Sequence, residues 1–192
     1  MPNNQFASVN SAVFVPPMAA GLAISPDGRT LVVANYANDS ITVFTGGLDI
    51  WKSQWVADPA SAQQFQSMLP GTELDLRPGK AASRATPGTP GGEYPFWVVF
   101  KGNSGPGATV YVSSLRDREI DVVNLGETCA HGTTGPNCVL TVTPAVSARI
   151  PVKGQPNKMA ITRRGTLLYV AEDESDTVDV IDINPQDVGS PY

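Results

Sequence analysis

Residues 22–44 read LAISPDGRTLVVANYANDSITVF and residues 159–181 read MAITRRGTLLYVAEDESDTVDVI; they align without a gap and agree at eight of 23 positions. Most of the other positions exchange within a residue class. A third copy lies between them, because VYVSSLRDREIDVV (110–123) matches 31–44 and 168–181 position for position. Upstream of it, Trp97-Val98-Val99-Phe100 stands where Leu22-Ala23-Ile24-Ser25 stands in the first copy, followed by a longer turn from Lys101 to Thr109. Three copies of one pattern define an internal repeat.

Each copy reads as three short strands. The first is a brief apolar run: 21–25, 96–100 and 158–162. A turn follows, with Gly28 and Gly165 supplying a positive φ at the tip in copies one and three. The second strand is Leu31-Val32-Val33-Ala34, Val110-Tyr111-Val112-Ser113 or Leu168-Tyr169-Val170-Ala171. The third alternates apolar and polar side chains, as in Ile41-Thr42-Val43, Ile120-Asp121-Val122 and Val178-Asp179-Val180. A weaker fourth strand is read at Glu73–Leu76 and at Ala148–Val152. Four antiparallel strands per repeat is the layout of a β-propeller blade, so the expected fold class is all-β, a partial propeller of about three blades. The copies are spaced by 79 and 58 residues (Leu31 to Val110, Val110 to Leu168), more than the roughly 40–45 of a plain blade. The excess is assigned to two inserts. Blade 1 is expected over about 18–78 with an insert at 46–71, blade 2 over about 95–152 with an insert at 126–144, and blade 3 from about 156, incomplete at 192. A short helix is expected at Ser61 to Leu69, within the first insert.

Composition narrows the function. The 192 residues hold 41% hydrophobic residues, enough for a packed core, and Gly plus Pro number 18 + 17 = 35. That is rich in turns yet below the roughly 25–30% of low-complexity chains. The formal charge of −5 argues against broad binding to nucleic acid or an anionic membrane. No run reaches the roughly 20 apolar residues of a membrane span. The first residues, MPNNQF, have neither a basic region nor an apolar core after it, so no signal peptide is visible, and the chain is expected to be a piece of a longer protein.

The repeats resemble the YVTN-type β-propeller family. The matching residues are Leu168-Tyr169-Val170-Ala171 with Asp176 to Asp182, Leu31 to Asn35 with Asp39 to Val43, and the first hairpin Ser25-Pro26-Asp27-Gly28-Arg29-Thr30. Within that family, 75–79 (DLRPG), 91–97 (GGEYPFW), 116–119 (RDRE) and 156–159 (PNKM) are similar to the propeller that precedes an alkaline-phosphatase-like phosphoesterase domain in some bacterial proteins. The resemblance implies about seven blades, of which this chain supplies three. It also implies that the partners are the remaining blades or another copy of the chain, with an attached phosphoesterase domain a further possibility.

Few residues offer chemistry. Cys129 and Cys138 bracket a turn-rich loop containing His131, the single histidine. A disulfide closing this loop is the favoured reading, contributing roughly 2.5–3 kcal/mol and placing the protein outside the cytoplasm. Unpaired thiols and a metal site are the alternatives, the latter poorly served because two cysteines with eight residues between them fit no zinc spacing. His131 has no Gly-x-Ser-x-Gly partner for nucleophilic catalysis, and Gly102–Gly107 reads as a hairpin turn. Trp51 and Trp55 read as cover for a sheet edge, and 172–174 (EDE) with Asp176 as a solvated loop. In a propeller, the loops joining second and third strands share one face with those leading into each first strand. That would gather Asn35, Trp97, Arg116, Arg118, Asn157, Lys158 and Glu172 as candidate ligand- or partner-binding residues. Arg118 also breaks the repeat, since copies one and three have Asp39 and Asp176 there. The expectation is a non-catalytic, extracytoplasmic bacterial binding module that uses no cofactor, metal, nucleic acid or membrane. The alternatives are the accessory part of a phosphoesterase or a lactonase-like propeller enzyme.

Overall fold

A hydroxyl starts the first hairpin of two repeats. Ser25 Oγ accepts from the N–H groups of Arg29 (3.2 Å) and Thr30 (2.9 Å), while Gly28 N–H donates to Ser25 O (2.8 Å). Thr162 does the same with Thr166 (3.2 Å), Leu167 (3.1 Å) and Gly165 (2.8 Å). Gly28 and Gly165 have φ of 73° and 67°, the left-handed geometry expected of them. These turns and the β-branched runs between them give an all-β chain in the computed structural model, which describes residues 18–45, 71–77, 91–102, 107–129 and 140–184.

The strands are β1 (Ala19–Ile24), β2 (Thr30–Asn35), β3 (Ser40–Thr45), β4 (Thr72–Asp75), β5 (Pro95–Phe100), β6 (Thr109–Ser114) and β7 (Glu119–Asn124). They continue as β8 (Thr128–Cys129), β9 (Leu140–Thr141), β10 (Ala145–Pro151), β11 (Gln155–Ile161), β12 (Leu167–Asp173) and β13 (Thr177–Asp182). The described residues form four antiparallel sheets: β1-β2-β3-β4, β10-β7-β6-β5, β11-β12-β13 and the small hairpin β8-β9. Among the described residues the third sheet therefore ends at β13.

Among the described residues two apolar cores lie between the sheets. Val32, Ala34, Ile41 and Val43 of the first sheet meet Val98, Val110, Val112 and Val123 of the second. Tyr111 and Ile120, on the other face of the second sheet, meet Met159, Leu168, Val170 and Ile181 of the third. Alternation along each strand makes this possible, since the second sheet sends neighbouring side chains into different cores. β1 runs beside β5 and β5 beside β11, so these three strands form the inner edge of the stack. Gly21 permits the first of these contacts, because a Cβ there would lie 2.5 Å from Phe96 O.

The fourth strands lie a little earlier in the chain than expected. β4 runs Thr72–Asp75 rather than over 73–76, and β10 runs Ala145–Pro151 rather than over 148–152. Ladder hydrogen bonds continue where side-chain hydrophobicity has already faded. The hairpin β8-β9 falls inside the expected second insert, and two residues per strand are too few to show a period. The expected helix at 61–69, together with Trp51, Trp55, His131 and Cys138, lies outside the described residues.

Candidate functional site

One end of the stack collects the three turns β2–β3, β6–β7 and β12–β13 and the segments leading into β1, β5 and β11. The registers require it: Ala19 pairs with Asn35, Pro95 with Ser114, and Gln155 with Asp173. At this loop end the three ladders share an irregularity near the start of the inner strand, between Ala19 and Gly21, Pro95 and Trp97, and Pro156 and Met159.

The bulge in β5 positions Trp97. Its N–H donates to Ser113 Oγ (2.9 Å), and Ser113 Oγ donates in turn to Asn157 O (2.9 Å), tying the second sheet to the third. Lys158 Nζ lies 5.4 Å from the Trp97 ring centroid, within cation–π range. Asn157 Nδ2 donates to Asp173 Oδ2 (2.8 Å). Trp97, Asn157 and Lys158 therefore come together at the inner edge, as a half-buried ring beneath an exposed ammonium.

Arg116 and Arg118 lie on the β6–β7 turn with exposed guanidinium groups. Arg116 pairs with Glu93, and Arg118 Nη2 stands 3.8 Å from Glu174 on the next sheet. Burial raises the Glu93 carboxyl above its ordinary value, with Arg116 acting in the opposite direction. Asp39, Arg118 and Asp176 occupy equivalent places in the three turns, with φ of 53°, 53° and 52°. Aspartate tolerates this left-handed geometry better than arginine does, so Arg118 sits there at a conformational cost.

Asn35 and Glu172 are buried within their sheets instead, 3% and 6% exposed. With Ser114 they fill equivalent positions of the repeat, and each addresses the third strand. Asn35 Nδ2 donates to Thr42 Oγ1 (2.8 Å) and Ser114 Oγ to Asp121 Oδ2 (2.5 Å). Glu172 stands against Asp179. Cys129 lies at the end of β8 opposite Leu140, two residues beyond Cys138, and no free cysteine occurs among the described residues.

Sequence reasoning missed the charged network behind the loops. Arg149 of β10 donates through Nη1 to Glu119 Oε1 and Asp121 Oδ1 (both 2.5 Å) and through Nη2 to Leu76 O. Arg77 pairs with Asp75 and, at 3.7 Å, with Asp39. Tyr36 stacks on Tyr94 with centroids 4.9 Å apart. The available signal was Asp121, the one ionisable residue in an otherwise apolar stretch of the third strand (Ile120, Val122, Val123). No group of three or more His, Cys, Asp or Glu residues suited to a metal ion occurs among the described residues.

No family model matches the chain, and no curated protein matches it. Among solved structures it is similar to hydrazine synthase of Kuenenia stuttgartiensis, at 18% identity and a TM-score of 0.53 over 91% of this chain. It is also similar to a functionally unknown protein of Desulfotomaculum acetoxidans DSM 771, at 20% identity and a TM-score of 0.48 over 90% of this chain. The chain spans 35% and 40% of these two structures. The first likeness is one of fold.

Proposed function

We propose that the chain is a partial β-propeller of three YVTN-type blades, a non-catalytic module of an extracytoplasmic bacterial protein that binds an acidic partner at its loop end. Three repeats folded as successive sheets around a shared inner edge support the propeller reading. The outward faces support its being partial. Ile41 and Ile120 are 0% exposed between blades, whereas Val178, their counterpart in the third repeat, is 60% exposed. The ladders correct the expected alignment by one residue, setting Val98 (opposite Val112) rather than Trp97 against Leu22 (opposite Val33); Leu22 is 59% exposed and Val98 1% exposed. Such faces suit further blades or a second copy of the chain.

The observation that carries the binding role is Arg118. An arginine kept at a left-handed turn position, with its guanidinium exposed as that of Arg116 on the same turn is, suggests a use outside the fold. Both ion pairs are partly or wholly solvent-exposed and so are weak, leaving the cations able to exchange partners. Guanidinium groups suit carboxylates, and the Trp97 ring offers apolar contact at the same loop end. An acetylated hexaglutamate peptide is the probe. The expected result is binding that weakens with salt and drops about tenfold in an Arg116→Ala/Arg118→Asn variant. Arg118→Asn should itself stabilise the fold, by about 1 kcal/mol. Equal affinity for both proteins, or no binding, would overturn the loop-end role.

The extracytoplasmic assignment rests on the proposed Cys129–Cys138 disulfide, which the β8-β9 ladder favours by returning the chain beside Cys129. Iodoacetamide added to the unfolded protein should modify neither cysteine before reduction and both after it. Modification without reductant would remove this support.

A further inference from the structure

In the second sheet, the buried pair Ser114–Asp121 is completed from the fourth strand. Arg149 stands opposite Asp121 in the β10–β7 register and holds both Asp121 and Glu119. In the first sheet Glu73 takes the same place opposite Thr42 and accepts from Ser40 Oγ (2.7 Å). The third sheet has the equivalent pair, Glu172 and Asp179, and no described strand beyond β13. Here both members are acidic. Glu172 Oε2 accepts from Thr177 Oγ1 (2.8 Å) and Ser175 Oγ (3.1 Å), while its Oε1 is buried with no hydrogen-bond partner. A buried carboxylate oxygen lacking a donor is costly, and it marks a place where a donor belongs.

We propose that β13 is completed by an antiparallel strand carrying an arginine or lysine opposite Asp179, which holds the Glu172–Asp179 pair as Arg149 holds Asp121 and Glu119. Residues 1–17 and 185–192, on either side of the described core, contain neither lysine nor arginine. The other basic residues outside the described core, Lys52, Lys80 and Arg84, lie in segments tied at both ends to the first two sheets, so the occupant is a basic, otherwise apolar strand of a further blade. The charge state of the pair agrees. Burial and then the neighbouring Glu172 carboxylate hold Asp179 above its ordinary value, offset in part by Lys153. For Glu172 burial acts upward too, but the bonds from Thr177, Gly154 N–H and Ser175, and one shared with the Asp179 carboxyl, outweigh it and hold that carboxyl below its ordinary value. A cation would take the place of the proton between the two carboxyl groups.

This inference rests on the partial-propeller reading, and one experiment separates the two. The probe is a peptide with the sequence of residues 144–152 (PAVSARIPV), compared with the same peptide bearing Arg149→Ala. Amide hydrogen exchange reports where each binds. The expected result is that the parent peptide slows exchange across Thr177–Asp182 and binds about tenfold more tightly than the alanine peptide. Asp179→Asn and Glu172→Gln proteins should each narrow that difference. Equal affinities of the two peptides, or no slowing in β13, would overturn the basic strand while leaving the partial propeller intact. Full protection of β13 before peptide is added would overturn both, because the edge would already be covered.

Discussion

Replacing Arg149 with alanine is expected to destabilise the protein by about 3–5 kcal/mol at neutral pH, the usual cost of removing one partner from a buried ion pair. Asp121 is completely buried and keeps only the Ser114 hydroxyl (2.5 Å) once the guanidinium is gone. Glu119 keeps the Gly92 N–H (2.7 Å), and Leu76 O loses its bond to Nη2. The pH dependence is a second readout. Burial pushes Asp121 up to about 7, against the pull of Arg149. The folded protein therefore holds a proton between roughly pH 4 and 7 that the unfolded chain releases. A group that binds more protons when folded loses stability as pH rises, so the native protein should weaken through this window. Without Arg149 the decline should extend to higher pH, and Asp121→Asn should flatten it. Urea denaturation at pH 5, 6, 7 and 8 measures all three proteins. A loss below about 1 kcal/mol with an unchanged pH slope would mean that the pair is solvated and structurally idle.

Gly92→Ala is expected to cost about 3 kcal/mol or more, the larger part from collision rather than from backbone preference. Gly92 has φ of 69°, a conformation that costs an alanine about 1 kcal/mol. The added Cβ would lie 2.5 Å from Leu76 O and 2.6 Å from Leu76 C, backbone atoms that cannot swing aside. Leu76 is itself fully buried in the core between the first two sheets. Gly92 and Arg149 thus act on the same carbonyl group, one by leaving room for it and the other by donating to it. The double variant should therefore lose less than the sum of the single losses, since a displaced Leu76 O no longer meets Arg149. Additive losses would show that the first two sheets are held together elsewhere. Gly28→Ala is the control for backbone preference, because nothing lies within 4 Å of a Cβ there. It should lose only about 1 kcal/mol.

The loop-end residues divide according to strand register. Trp97, Asn157 and Lys158 meet because the inner strands β5 and β11 lie side by side, with a bulge turning the start of each. Asn35 and Glu172 share that end of the chain's turns, but as the last buried positions of their sheets they point their polar groups at the third strand. A repeat alignment places all five at one end and carries no information about which face of the strand each occupies.

The amino-acid sequence alone determined the repeat, the strands and the turns, because these depend on nearest neighbours. Alternating β-branched residues make a strand, a glycine permits φ near 70°, and a hydroxyl closes the turn that follows Ser25 or Thr162. Tertiary structure decided what lies between sheets. Arg149 reaches Leu76 across 73 positions of sequence, and Thr30 Oγ1 donates to Glu127 Oε1 (2.7 Å) across 97. Such contacts are set by the stacking of sheets, and local propensity has no term for them. Strand pairing decided the rest: read along the chain, Glu172 and Asp179 are two polar residues in alternating strands, and only the pairing of β10 with β7 shows that a cation fills the matching place one repeat earlier.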